Sequence, residues 1–209
     1  LKTLVTLARN KGFERITAVA TSAVREAQNG GEFVAMIQEQ LGLRVRVISG
    51  VEEARLIFLG VKNSIALPEG ATLVVDIGGG SVELIVGNRD GLIHGTSLKL
   101  GAIRLTEQCL PKTPPSESMM RSLDAVVTTH LRDALRSFKI KKFQSLVATS
   151  GMAGNVGEVV HLRQMGRPLP QHNLATVALK HVRGLEAELA RSSIKGPWRS
   201  QTPLAWSPG

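Results

Sequence analysis

Tyrosine is absent from this chain of 209 residues, and aromatic residues of all kinds make up only 3% of it. Any core must therefore be built from aliphatic side chains. The single cysteine, Cys109, excludes an internal disulfide framework and fits a reducing compartment. No apolar run approaches the roughly 20 residues needed to cross a bilayer, and no charged-then-apolar leader opens the chain, so no membrane partner is expected and a cytoplasmic location is the default. The five histidines, His94, His130, His161, His172 and His181, have no metal-ligand spacing with cysteines or carboxylates. Runs of basic residues and basic residues interleaved with aromatics are missing too. The formal charge of +9 then favours a phosphate-rich ligand over nucleic acid as the anionic partner. No internal repeat or low-complexity segment is visible.

What is present is enough to fold. Apolar residues make up 43% of the chain, which could be one large domain or parts of two. Leu1, Leu4, Val5 and Ala8 keep helical spacing with no N-cap residue before them, so the sequence is expected to begin inside a helix, with Gly12 ending it. Residues 16–21 read as a buried strand and residues 22–27 as a short helical turn, followed by a loop at Asn29-Gly30-Gly31. Phe33, Met36, Ile37 and Leu41 form one helix face, closed by Gly42. A strand at residues 45–48 leads through Ser49-Gly50 into a helix over residues 51–61. Strands alternating with helices imply an α/β layer with a partly parallel sheet. Glu52 and Glu53 lie in the first turn of that helix, where the dipole favours carboxylates by a few tenths of a kcal/mol, the plain structural reading for either. Pro68-Glu69-Gly70 is turn material and the expected hinge between two lobes.

Residues 71–87 hold the rest together. Two runs rich in β-branched and aliphatic residues, 73–77 and 82–86, flank Gly78-Gly79-Gly80-Ser81, the pattern of a β-hairpin. Glycines let backbone N–H groups approach an anion, Ser81 adds a hydroxyl, and Asp76 at the strand end could hold a divalent cation against it. No Gly-Lys-Ser/Thr follows, so this is not a P-loop, and the glycines lead into a strand, which excludes the dinucleotide fingerprint. Further on, a strand within residues 91–100 turns into a helix over 101–107, and Ser116 caps a long amphipathic helix reaching about Ser137. That helix carries Met119, Leu123, Val126, Val127, His130, Leu131 and Ala134 on one face, with His130 read as a core or boundary residue. Residues 145–149 form a strand running into Ser150-Gly151 and a helix, a weak anion-site pattern on its own, and a last helix is expected over residues 174–191.

This constellation resembles the exopolyphosphatase and guanosine pentaphosphate phosphatase family of the actin-like ATPase-domain superfamily. Residues 20–27, 48–57, 75–84, 97–107 and 148–151 carry the likeness in the right order. The resemblance implies an actin-like (ribonuclease H-like) two-lobed α/β fold, with residues 1–68 as the end of one lobe and residues 69–195 as most of the other. It further implies that Glu53 is the catalytic glutamate activating the attacking water, which leaves the helix-end reading to Glu52 alone. Asp76 and Glu83 become the acids that place Mg²⁺, and Gly78, Gly79, Gly80 and Ser81 a phosphate loop. Arg25 is similar to a family arginine near the active cleft, and Ser150 with Gly151 to its second-lobe phosphate-side turn. Phosphoryl transfer asks little covalent work of a protein, so positioning, charge neutralisation and an oriented water would supply the catalysis.

The implied activity is release of terminal phosphate from linear polyphosphate or guanosine pentaphosphate. The alternative is a non-catalytic module that binds polyphosphate or the alarmone. A kinase or chaperone of the same superfamily is disfavoured by the Glu53 motif. Oligomeric state stays open, a homodimer included. Two departures stand out. The family's opening Asp-x-Gly-Ser/Thr-Asn-Ser hairpin is absent, so truncation at the N-terminus is expected, and truncation at the C-terminus is expected with it. Residues 196–209, with both tryptophans, leave the pattern; read in a frame displaced by two nucleotides their codons can spell a family-like continuation, which suggests a frameshifted end.

Overall fold

The computed structural model describes residues 1–112, 115–140, 142–169 and 175–191. The off-pattern tail at 196–209 lies outside the described residues, as does Leu174, the expected start of the last helix.

The chain opens with helix α1 (Lys2–Asn10), strand β1 (Ala18–Ala20), helices α2 (Ser22–Glu26) and α3 (Gly30–Leu41), and strand β2 (Val45–Val47). β1 and β2 pair in parallel, Ala18 opposite Val45 and Ala20 opposite Val47. Val5, Ile37 and Leu43 form the buried centre of this part. Two expectations are corrected here. Gly30 begins α3 instead of sitting in a loop, because its missing side chain lets α3 approach α2: a Cβ there would lie 2.2 Å from the Val24 carbonyl oxygen. Phe33 and Met36 remain 42% and 43% exposed, since only the stripe through Ile37 and Leu41 finds apolar partners.

Helix α4 (Gly50–Ser64) follows, capped by Ser49, whose Oγ accepts the Glu52 N–H at 3.2 Å. It packs Ala54, Phe58 and Val61 against Leu67 of the following connection and against Val74 and Ile85 of a second sheet. That sheet contains β3 (Thr72–Ile77), β4 (Val82–Gly87), β5 (Leu92–Leu98) and β6 (Ser145–Thr149) in the order β5-β4-β3-β6. β3–β4 and β4–β5 are antiparallel, and β3–β6 is parallel, as a partly parallel α/β sheet requires. Every residue of β4 is buried, because α4 covers one face and α6 (Glu117–Ser137) the other, where Val82, Leu84 and Val86 meet Leu100, Ala134 and Phe138. With so few aromatics, Phe58 and Phe138 each anchor one side of the sheet.

Helix α5 (Ala102–Cys109) connects β5 to α6, and α7 (Ser150–Met165) and α8 (Leu179–Arg191) complete the described chain. His130 is exposed, with Nδ1 2.8 Å from the Val126 carbonyl, because α6 turns Ala134 and Leu131 inward and leaves His130 outside that stripe. No helix among the described residues is long and apolar enough to cross a membrane.

Candidate active site

The glycine turn between β3 and β4 is shaped by the helix behind it. Gly78 N–H donates to the Ser81 carbonyl at 3.0 Å and closes the turn. The first amides of α5, which have no partner within their own helix, donate into the loop: Ala102 N–H to Gly78 O at 2.9 Å, Ile103 N–H to Gly79 O at 3.0 Å and Arg104 N–H to Gly79 O at 3.2 Å. The loop's carbonyls are thus occupied. Among the described residues, the amides of Gly79 and Gly80 donate to no protein acceptor, so they remain available to a ligand. Gly101 makes this contact geometry possible, since a Cβ at that position would lie 2.3 Å from Gly79 O and Gly80 C.

Glu53, on the first turn of α4, faces the same cleft as Asp76, Gly78, Gly79, Gly80, Ser81 and Glu83, a space of about 430 Å³ also lined by Thr21, Ser22, Ala23, Ile103, Arg104 and Glu107. Arg25 does not line the cleft but fixes Glu53 from behind: its Nη1 donates to Glu53 Oε2 at 3.0 Å and to the Ile48 carbonyl at 2.9 Å. The two side chains are 21% and 13% exposed, so the pair is largely withdrawn from water while Glu53 keeps an opening to the cleft. Its neighbour Glu52 points elsewhere and is held by the Arg55 guanidinium at 2.8 and 3.0 Å, which keeps its carboxyl below the usual range. Successive residues on a helix are not on one face, and here that separates a structural glutamate from one in the cleft.

Asp76 and Glu83 are direct cross-strand partners in the hairpin. Asp76 Oδ2 accepts from the Thr149 hydroxyl, and Glu83 Oε1 accepts from Ser97 Oγ at 2.7 Å. Glu83 is 1% exposed. Burial pushes its pKa up; hydrogen bonds from Ser97 and Ser81 oppose this, and the charges of Glu53 and Asp76 add to the rise. Among the described residues no three histidines, cysteines or carboxylates converge into a complete protein cage for a metal. A Mg²⁺ ion does not need one, because it keeps several waters and is bound through one or two carboxylates together with substrate phosphates. Asp76 and Glu83 fit that donor set, and a cation beside them would offset both the burial that raises Glu83 and the smaller repulsion from Glu53 and Asp76.

Ser150 takes φ +80°, a conformation that costs a non-glycine residue about 1 kcal/mol or more. Its Oγ donates to the Ile77 carbonyl at 2.6 Å, tying the start of α7 to the end of β3. Neither Ser150 nor the exposed Gly151 is among the residues lining the cleft. Residues not singled out from sequence complete the surroundings. Arg104 Nε donates to the Gly80 carbonyl at 2.9 Å and its Nη2 to Glu26 Oε2 at 2.7 Å. Ser22 Oγ donates to Glu26 Oε1 at 2.8 Å. Burial would raise the Glu26 pKa, but the Ser22 hydrogen bond and the cations Lys99 and Arg104 outweigh it and hold the carboxyl below its ordinary value. Only the Ser22–Glu26 spacing of four was legible locally; Arg104 meets Glu26 across 78 positions.

A family model described as the Ppx/GppA phosphatase family matches residues 1–195. Exopolyphosphatase 2 of Mycobacterium tuberculosis is 31% identical over 193 residues, covering 90% of this chain and 58% of that protein. A guanosine-5'-triphosphate,3'-diphosphate pyrophosphatase of Pseudoalteromonas translucida is 32% identical over 165 residues, covering 78% of this chain and 33% of that protein. The crystal structure of an exopolyphosphatase from Cytophaga hutchinsonii is similar with a TM-score of 0.77 at 26% identity, covering 92% of this chain and 62% of that one. The chain therefore spans only part of the length of each of these proteins.

Proposed function

The chain belongs to the Ppx/GppA phosphatase family, and from that premise we propose that it carries the hydrolytic centre of a phosphoanhydride hydrolase releasing terminal phosphate from inorganic polyphosphate or guanosine pentaphosphate. The relatives' names support both substrates, since one is an exopolyphosphatase and another a guanosine pentaphosphate pyrophosphatase. The observation that carries the reading is the meeting of Glu53 with Asp76 and the Gly78–Ser81 turn in one cleft. Residues 1–68 then supply the end of one lobe, with Glu53, and residues 69–195 most of the other, with the glycine loop.

In this reading a water accepts a hydrogen bond from no carboxylate but donates one to Glu53. Its oxygen attacks the terminal phosphorus as the proton passes to the carboxylate, and the bridging P–O bond breaks to leave a chain shortened by one phosphate. Arg25 keeps the Glu53 carboxylate aimed, because one guanidinium nitrogen spans Glu53 and the Ile48 carbonyl. The amides of Gly79, Gly80 and Ser81 bind phosphoryl oxygens, while the Ser81 hydroxyl serves Glu83. Bound Mg²⁺, held by Asp76 and Glu83, would supply charge neutralisation for the phosphates. Ser150 holds the end of β3 in place, and Gly151 is exposed in the first turn of α7.

The test is Glu53→Gln in the full-length parent protein, with phosphate release measured on polyphosphate and on guanosine pentaphosphate. Turnover is expected to fall by about 10²- to 10⁴-fold, the usual contribution of a general base, with ligand binding retained. Unchanged turnover would overturn the assignment. Tight binding by the wild-type protein without any phosphate release would replace the hydrolase with a binding module.

A further inference from the structure

Three consecutive peptide planes of the glycine turn are gripped by their carbonyls. Backbone amides of α5 hold Gly78 O and Gly79 O, and the third, Gly80 O, is held by the side chain of Arg104 through Nε at 2.9 Å. In a trans peptide the carbonyl and the N–H point in opposite directions. Holding three carbonyls therefore fixes where the N–H groups of Gly79, Gly80 and Ser81 point, and successive N–H groups fixed in this way make an anion-binding concavity. The first two grips are backbone contacts that survive side-chain substitution. The third depends on one arginine.

That arginine is itself oriented. Its Nη2 donates to Glu26 Oε2 at 2.7 Å, Lys99 Nζ lies 3.3 Å from the same oxygen, and Ser22 Oγ donates to the other oxygen at 2.8 Å. Because a guanidinium is a planar fork, anchoring one edge sets the direction of the other. The circuit closes at the glycine: a Cβ on Gly80 would come within 2.6 Å of Ser22 Oγ, so α2, which carries Ser22 and Glu26, touches the loop that Arg104 holds.

We propose that Arg104 is a positioning residue for the anion cradle and Glu26 its orienting partner, so that a carboxylate held against two lining residues of the cleft, Ser22 and Arg104, strengthens the binding of a phosphate chain. The identity of the anion rests on the function proposed above; the grip on the loop does not. The two effects of Glu26 have opposite sign. By charge alone, removing a carboxylate beside a polyanion tightens binding. By the clamp, it frees Arg104 and loosens the cradle.

The experiment uses the 209-residue chain and its variants Glu26→Gln, Arg104→Ala and Arg104→Lys. Order at the Gly80 and Ser81 amides is read by nitrogen-15 relaxation without ligand, and affinity for inorganic triphosphate by calorimetry. Glu26→Gln is expected to make both amides more mobile and to weaken triphosphate binding by about tenfold, the scale of one charge-assisted hydrogen bond. Arg104→Ala should do the same, with Arg104→Lys recovering only part, since an ammonium lacks the fork needed to reach Gly80 and Glu26 together. Tighter binding by Glu26→Gln, or loop amides as ordered as in the wild type, would overturn the clamp. If the wild-type chain binds no triphosphate while the variants still loosen the loop, the clamp stands and the phosphate reading of the cleft falls. Should Arg104→Ala fail to fold by circular dichroism, Glu26→Gln, which keeps the side-chain shape, decides the question.

Discussion

Two segments rich in small residues follow the C-terminal ends of the neighbouring parallel strands β3 and β6, and they are built differently. Gly78–Ser81 joins antiparallel strands and has its three glycine carbonyls taken up by the first turn of α5, while among the described residues the amides of Gly79 and Gly80 meet no protein acceptor. Ser150-Gly151 leads straight from β6 into α7, and its serine hydroxyl is committed to the Ile77 carbonyl, at the base of the first turn. From sequence both read as anion sites. The structure separates them by what stands behind each: at the glycine turn between two strands, another element binds the outward-facing carbonyls and, among the described residues, the Gly79 and Gly80 amides keep no protein acceptor. Where nothing does, the same residues serve to hold the backbone together.

That contrast can be broken most forcefully at the glycines. Gly101→Ala would drive a Cβ into the Gly79 carbonyl and Gly80, and it is expected to cost roughly 1–3 kcal/mol, as overpacking against backbone does, and to abolish triphosphate binding. Gly151→Ala meets nothing within 4 Å and sits in the first turn of a helix, so it should be neutral or stabilising by up to about 1 kcal/mol. Thermal unfolding of the two variants side by side measures the difference; equal effects would erase the distinction between the turns.

A smaller effect sharpens it. Glu83 lies under the first turn with its pKa raised by burial, so the folded state resists its ionisation. Its stability cost is absent at pH well below the ordinary value of 4.5, where the group is protonated folded or unfolded, and grows as pH rises toward the folded pKa. Glu83→Gln is therefore expected to raise the melting temperature of the metal-free protein at neutral pH, with the gap closing in acid. Glu26 has the opposite sign, since its lowered pKa gives stability above the unfolded value that disappears as pH falls.

Much of the framework was legible in the sequence because it is local. Aliphatic runs on either side of Gly78–Ser81 specify a hairpin, and β6 occupies residues 145–149 as its composition indicates. Gly30 was read as loop because glycine's permissiveness and its use in close packing look alike in sequence; only the approach to Val24 distinguishes them. Phe33, Met36 and His130 were assigned inward by periodicity, which says which residues share a face and not how wide a stripe the neighbouring element covers. Glu52 and Glu53 are locally equivalent, and the role proposed for Glu53 came from family resemblance before the fold placed it opposite the glycine loop. Arg104 and Glu26 fall within segments that carry the family likeness, but nothing in either segment encodes a contact across 78 positions.

The most direct test of the central claim is a titration of the chain with inorganic triphosphate followed at backbone amides by heteronuclear NMR. Saturable shifts are expected at Gly79, Gly80 and Ser81, with Gly151 much less affected. A response confined to the basic exposed positions of α6, such as Arg132 and Arg136, with the glycine turn unmoved, would contradict it.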